Sequence, residues 1–246
     1  MRAKFIVLMT VVLLLMLPAL TSAQEMLAIE SADVEVMSAD QAYASYLAAP
    51  AEGGPYPGIV LIHSFNGLEE GYRTMTDNLA AEGFVVLAVG WQTFERSPSD
   101  AVLSQLVMDS VAFLSERDDV DPERLGLTGF CAGGRATMLF LPQIPAFSAG
   151  VAWYGFPNNG DPAPASFVDQ LEAPMLIIHG TADEPSPIAS IYDYANLLTA
   201  ASKSFELKVY YGEPHGFMLS NGQLRDDEVA VDAFNQMADY FQRKLS

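Results

Sequence analysis

Gly129-Phe130-Cys131-Ala132-Gly133-Gly134 is the stretch whose reading decides the fold. It holds the only cysteine among 246 residues. An apolar run, Arg124-Leu125-Gly126-Leu127-Thr128, leads into it, and a run of helix formers, Arg135 to Leu141, leads out. The pattern is a strand, a tight turn and a helix, with a thiol at the turn. Glycines two before and two after the cysteine let the backbone turn sharply and let strand and helix pass close together. Two readings are open at this point. The thiol is either a nucleophile held above a sheet or a buried structural cysteine in a glycine-rich turn.

The flanking sequence supplies the rest of a sheet. Gly58–His63, Phe84–Val89, Ala149–Tyr154 and Met175–His179 are apolar runs of the kind expected from strands buried on both faces. Phe205–Tyr210 alternates as a strand does, and Asp33–Met37 with Ala42–Leu47 reads as a first hairpin or edge pair. Between these lie helices over Tyr72–Glu82, closed by Gly83, over Pro98–Glu116, from Gly134 to near Pro142, over Ile188–Ala201 and over Asp226–Leu245. Asp121-Pro122-Glu123 reads as a turn into the strand Leu125–Gly129, and Asn158–Ala165 as a polar loop able to cover a site. Strands alternating with helices of this length imply an α/β fold with a mainly parallel sheet. There is no internal repeat and no second core, so residues 24–246 read as a single domain.

Residues 1–23 read as a signal peptide. Arg2 and Lys4 precede an apolar run, Phe5–Leu20, and Thr21-Ser22-Ala23 offers small residues for cleavage. The alternative is an uncleaved anchor, but the apolar run is short of the roughly 20 residues that span a bilayer. The expectation is an exported protein, periplasmic or extracellular, without stable membrane insertion after cleavage. The formal net charge is −19, and losing Arg2 and Lys4 makes the balance more negative. Such a surface repels nucleic acid and anionic lipid. A single cysteine cannot form an internal disulfide, and in an oxidising compartment a lone thiol is a liability unless buried or used.

In open α/β sheets functional groups gather at the carboxyl ends of strands. Cys131 lies just past one such end, Asp183 past the next but one, and His215 past the last. The order nucleophile, acid, histidine is that of α/β-hydrolase triads. Cys131 would be the nucleophile, His215 the base that takes its proton, and Asp183 the group that fixes the imidazole tautomer. The oxyanion formed on attack needs preorganised donors. The N–H of Ala132, at a helix N-terminus, is one candidate, and the N–H of Phe65, after the Gly58–His63 strand, is the other. His63 and His179 end buried strands and read as structural. Three scattered histidines and one cysteine make a poor ligand set, so no metal site is expected.

The chain resembles the dienelactone hydrolase family of α/β hydrolases. The resemblance rests on Gly129–Gly134, on Gly180-Thr181-Ala182-Asp183 and on Tyr211-Gly212-Glu213-Pro214-His215-Gly216-Phe217, and it runs from about Gly58 to the C-terminal helix. Cysteine in the nucleophile turn separates this family from serine esterases. The resemblance implies hydrolysis of a cyclic enol ester or small ester through a cysteinyl acyl-enzyme, with no cofactor and a small-molecule partner. In the best-studied members a glutamate after the first central strand helps activate the cysteine; the matching position here is Ser64. Those members also bind a substrate carboxylate with arginines, one shortly after the histidine; here Gly216-Phe217-Met218-Leu219 follows His215, and no arginine comes before Arg225. Ser64, Arg96 and Phe217 are the candidate substrate contacts. A monomer or small homo-oligomer is expected. The competing reading is a binding protein that keeps the hydrolase scaffold without turnover.

Overall fold

The computed structural model describes residues 26–246, so the leader read in residues 1–23 lies outside the described residues. The chain opens with a long hairpin, β1 (Ile29–Ser38) and β2 (Gln41–Pro50), paired antiparallel from end to end. There follow β3 (Tyr56–Ile62), α1 (Glu70–Ala81), β4 (Val85–Val89), α2 (Asp100–Ser115), β5 (Val120–Phe130) and α3 (Ala132–Phe140). Then come β6 (Phe147–Trp153), a 3-10 helix (Pro164–Gln170), β7 (Met175–Gly180), α4 (Ile188–Ala200) and β8 (Phe205–Tyr210). A short antiparallel pair, β9 (Leu219–Ser220) and β10 (Gln223–Leu224), precedes the last helix, α5 (Glu228–Lys244).

Eight strands form one sheet in the order β1-β2-β4-β3-β5-β6-β7-β8. From β4 to β8 every neighbour is parallel, and β2 joins β4 antiparallel. This is the α/β architecture of the α/β hydrolases, as the alternating pattern predicts. The apolar runs mark the central strands because each is covered on both faces. Val60, Ile62, Val85, Leu87 and Val89 pack with α2, α3 and α4 in one core. Their sequence neighbours Ile59, Leu61, Val86 and Ala88 pack with α1 and α5 in the other.

Three differences from the sequence reading have physical causes. Asp121-Pro122-Glu123 is not a turn before β5 but a bulge inside it. Pro57 pairs with Asp121 and the next residue, Gly58, with Leu125, so the segment between is extruded. Arg124 ties the bulge down, donating to Asp121 at 2.7 Å and to the Pro55 carbonyl at 2.9 Å. Second, β9 and β10 were not foreseen, because two-residue strands leave no periodicity to read. Third, the loop 158–165 does not line the central cavity. Arg135 makes a bidentate pair with Asp100 at 2.7 and 2.8 Å and donates to the Asn159 carbonyl at 2.8 Å, which holds this loop to α2 and α3.

Candidate active site

The turn from β5 to α3 is held tightly on all sides. Cys131 has φ 57° and ψ −111°, a conformation L-residues rarely hold. Its N–H donates to the Trp153 carbonyl at 3.1 Å, and its own carbonyl accepts from Arg135 N at 2.9 Å. Glycine is required around it by contact. A Cβ on Gly133 would overlap the Ile62 carbonyl, one on Gly134 the Trp153 carbonyl, and one on Gly129 the Gly133 carbonyl. The turn is therefore wedged between the ends of β3 and β6, and the half-buried thiol projects into a cavity of about 460 Å³. Ser64, Phe65, Asn66, Glu69, Tyr72 and Tyr154 line that cavity together with His215.

The loop after β8 delivers His215, and the loop after β7 delivers Asp183. The His215 Nδ1–H donates to Asp183 Oδ2 at 2.8 Å. The Asp183 side chain is fully buried, and its other oxygen accepts from Ser186 N at 2.8 Å. His215 Nε2 is buried and makes no well-formed hydrogen bond. Burial works against charging this imidazole, but the Asp183 hydrogen bond and the neighbouring Cys131 sulfur outweigh it and push the pKa up to about 9.

His179, read as structural, has a second relation. Its Nε2–H donates to the Ser186 carbonyl at 2.7 Å and lies 3.4 Å from Asp183 Oδ2. Burial lowers its pKa, so it stays neutral while brushing the carboxylate that serves His215. His63 does fit the structural reading. It stacks on Trp91 at 5.2 Å between ring centroids, its Nδ1–H donates to the Ser64 carbonyl at 2.7 Å, and burial lowers its pKa to about 4.

These contacts fix the loop after β3. Trp91 Nε1–H donates to the His63 carbonyl at 3.1 Å, and Asn66 N–H to Ser64 Oγ at 3.2 Å. Neither the Phe65 nor the Ala132 N–H donates to another group among the described residues. Ser64 and Phe65 line the cavity, Ser64 buried and Phe65 at its exposed edge. Arg96 does not line it. Its exposed guanidinium lies over the Phe65 ring, 4.9 Å from the centroid. Phe217 also stands apart from the cavity. It is 2% exposed and packs on Tyr154 and Trp153, so it supports the cavity wall instead of touching what enters.

Several cavity residues escaped sequence reasoning. Tyr154 sits just past β6 with φ 34°, and its buried hydroxyl has no partner. Its place at a strand's carboxyl end was the available signal. Tyr72 comes from the start of α1, and Leu219, Asn221 and Gly222 from the β9–β10 turn. Burial, followed by the charges of neighbouring groups, raises the Tyr72 and Tyr154 pKa values, so both hydroxyls stay protonated at neutral pH. No three His, Cys, Asp or Glu side chains are grouped to hold a metal among the described residues.

A mainly parallel sheet with a strained cysteine elbow and a histidine–aspartate pair at adjoining strand ends defines the α/β-hydrolase class. Within that class the chain belongs to the dienelactone hydrolase family, whose model matches residues 43–245. A protein of Methylorubrum extorquens with the provisional name carboxymethylenebutenolidase is 31% identical over 238 residues, covering 86% of this chain and 80% of that one. The crystal structure of a provisionally named dienelactone hydrolase from Klebsiella pneumoniae superposes with a TM-score of 0.79 at 25% identity, covering 88% of this chain and 99% of that one. The acylaminoacyl peptidase of Pyrococcus horikoshii shares the fold alone, with a TM-score of 0.76 at 18% identity over 90% of this chain and 42% of its own.

Proposed function

We propose that the protein hydrolyses small carboxylic esters or lactones through a Cys131–His215–Asp183 triad and a thioester acyl-enzyme. The observation that carries this reading is the strained Cys131 turn opening into the same cavity as His215, whose other nitrogen is bonded to buried Asp183. Cys131 gives its proton to His215 Nε2, a transfer favoured by the raised imidazole pKa. The sulfur attacks the ester carbonyl, and the oxyanion is held by the Phe65 and Ala132 N–H groups. Collapse of the tetrahedral intermediate breaks the C–O bond, and the imidazolium protonates the leaving alkoxide. Water, deprotonated at Nε2, then attacks the thioester carbonyl. The C–S bond breaks, the acid departs and the thiol regains its proton. Asp183 keeps the Nδ1–H tautomer throughout. The net reaction consumes one ester and one water and yields one acid and one alcohol, with no cofactor.

The test is a panel of activated esters and small lactones, with and without prior thiol alkylation. Turnover abolished by alkylation, by Cys131→Ala and by His215→Ala supports the reading. Full activity in Cys131→Ala overturns the mechanism, and no turnover across the panel favours a binding protein on a hydrolase scaffold. The leader read in residues 1–23 supports a periplasmic or extracellular enzyme. Expression of the whole chain tests this. Export with a mature start after Ala23 is the expected outcome, and retention of Met1 in a cytosolic product contradicts it.

A further inference from the structure

The cavity holding Cys131 and His215 contains one further charged side chain, the Glu69 carboxylate. Glu69 precedes α1 at its N-terminus and is half-buried. It makes no side-chain hydrogen bond or ion pair among the described residues. Its Oε1 faces Gly222 at the tip of the β9–β10 turn, and the Gly71 N–H donates to the Gly222 carbonyl at 2.8 Å, holding that tip over the carboxylate. Burial raises the Tyr72 pKa first, and Cys131 and then Glu69 add to it, so the sulfur and the carboxylate both face the same phenol.

Among the described residues no lysine or arginine is free beside it, and the cation in the cavity, the His215 imidazolium, is bound to Asp183. Arg73 is paired with Asp33 at 2.7 Å. Arg135 is committed to Asp100, and Arg225 to Glu213 and Asp227 at 2.7 and 2.6 Å. Arg96 is exposed, lies over the Phe65 ring and is not among the residues that line the cavity. Two unit charges a few ångströms apart interact far more strongly in a partly buried cleft than across water. We infer that Glu69 is a charge filter: the site takes uncharged or cationic acyl groups and turns away substrates carrying a carboxylate near the reacting carbonyl. The inference rests on the Cys131 ester-hydrolase reading. It departs from what the name carboxymethylenebutenolidase, a carboxylate-bearing lactone's hydrolase, says of the relative.

Two readouts test it separately from that reading. The first is hydrolysis of a matched pair, p-nitrophenyl butyrate and the p-nitrophenyl monoester of succinic acid, nearly equal in size and different in charge. The second needs no turnover. Cys131 is the only thiol, so the rates of its alkylation by neutral iodoacetamide and anionic iodoacetate report the local field directly. Each ratio is normalised to a small free thiol or to spontaneous hydrolysis.

We expect the wild type to favour the neutral member by about tenfold in both assays at low salt, an effect of the size one nearby charge produces. Glu69→Gln should shrink both ratios severalfold and Glu69→Lys should invert them. The general repulsion of a chain of net charge −19 cannot do this, because one substitution barely changes that total. Equal rates for the charged and neutral members, or ratios unmoved by Glu69→Gln, overturn the filter. A preference for the succinate ester that Arg96→Gln removes would also overturn it and make Arg96 the carboxylate's partner. Loss of ester turnover with the alkylation ratios intact sinks the hydrolase reading and leaves the field at Glu69 established.

Discussion

Asp183 is where single-residue chemistry decides most. Its buried carboxylate accepts from His215 on one side and from Ser186 N on the other, with the neutral His179 alongside. Asp183→Asn keeps the size and removes the charge. The imidazolium then loses its main stabilising partner, so His215 should release its proton well below about 9. The alkaline limb of the kcat/KM profile should move down accordingly, and kcat should fall by about 10²- to 10⁴-fold. A profile unchanged in pH while the rate falls would mean that Asp183 only supports the loop. Stability follows the same proton. Because the folded pKa lies above the ordinary 6.5, the contribution of His215 is full below 6.5 and is lost as pH rises through about 9. Denaturant unfolding across this window should show a fall in the wild type and a smaller one in Asp183→Asn.

Among the elements, the Cys131 turn and the β9–β10 pair position the site. Gly133→Ala would push a methyl group into the Ile62 carbonyl, and backbone cannot move aside as a side-chain tip can. We expect a loss of about 1–3 kcal/mol in denaturant unfolding, with Cys131 alkylation slowed in the folded fraction. Gly71→Ala acts on the other wall. Its Cβ would come 2.8 Å from Leu219 Cγ and from Leu224 N, displacing the pair that covers the cavity. KM should rise more than kcat falls, and an unchanged KM would show that these strands do not shape the site. The two elements differ in legibility. The Cys131 turn was readable because its glycines and flanking apolar runs are local. The β9–β10 pair was not, because its position over the cavity depends on the Gly71–Gly222 hydrogen bond. The same holds for Tyr72: nothing in a helix start says which cavity it will face. Strand ends pointed to Cys131, Asp183 and His215, which the fold brings together, and the same signal passed over Tyr154; Phe217, offered as a substrate contact within the family motif, packs in the core.

For the whole molecule, one sheet with a helical layer on each face carries the stability, and the site rests on its central strands. Phe241 of α5 packs beneath β5, where a Cβ on Gly126 would come 2.7 Å from its ring, and it meets Phe84 at 6.2 Å between centroids. Phe241→Ala should cost about 3–5 kcal/mol in denaturant unfolding. Any ester hydrolysis that remains should keep its pH profile, because the cavity lies at the other end of the strand. The α/β order was legible because parallel strands covered on both faces read as unbroken apolar runs. The bulge in β5 was not, since Asp121-Pro122-Glu123 has turn composition and only its partner strand reveals the extra residues. The central claim is that acyl groups pass through the Cys131 sulfur. Rapid-quench intact-mass spectrometry during p-nitrophenyl butyrate hydrolysis tests it most directly. We expect a transient butyryl adduct that peptide mapping places on Cys131 and that decays as butyrate appears. Hydrolysis at the wild-type rate by Cys131→Ala, or a butyryl group carried on another residue, would contradict it.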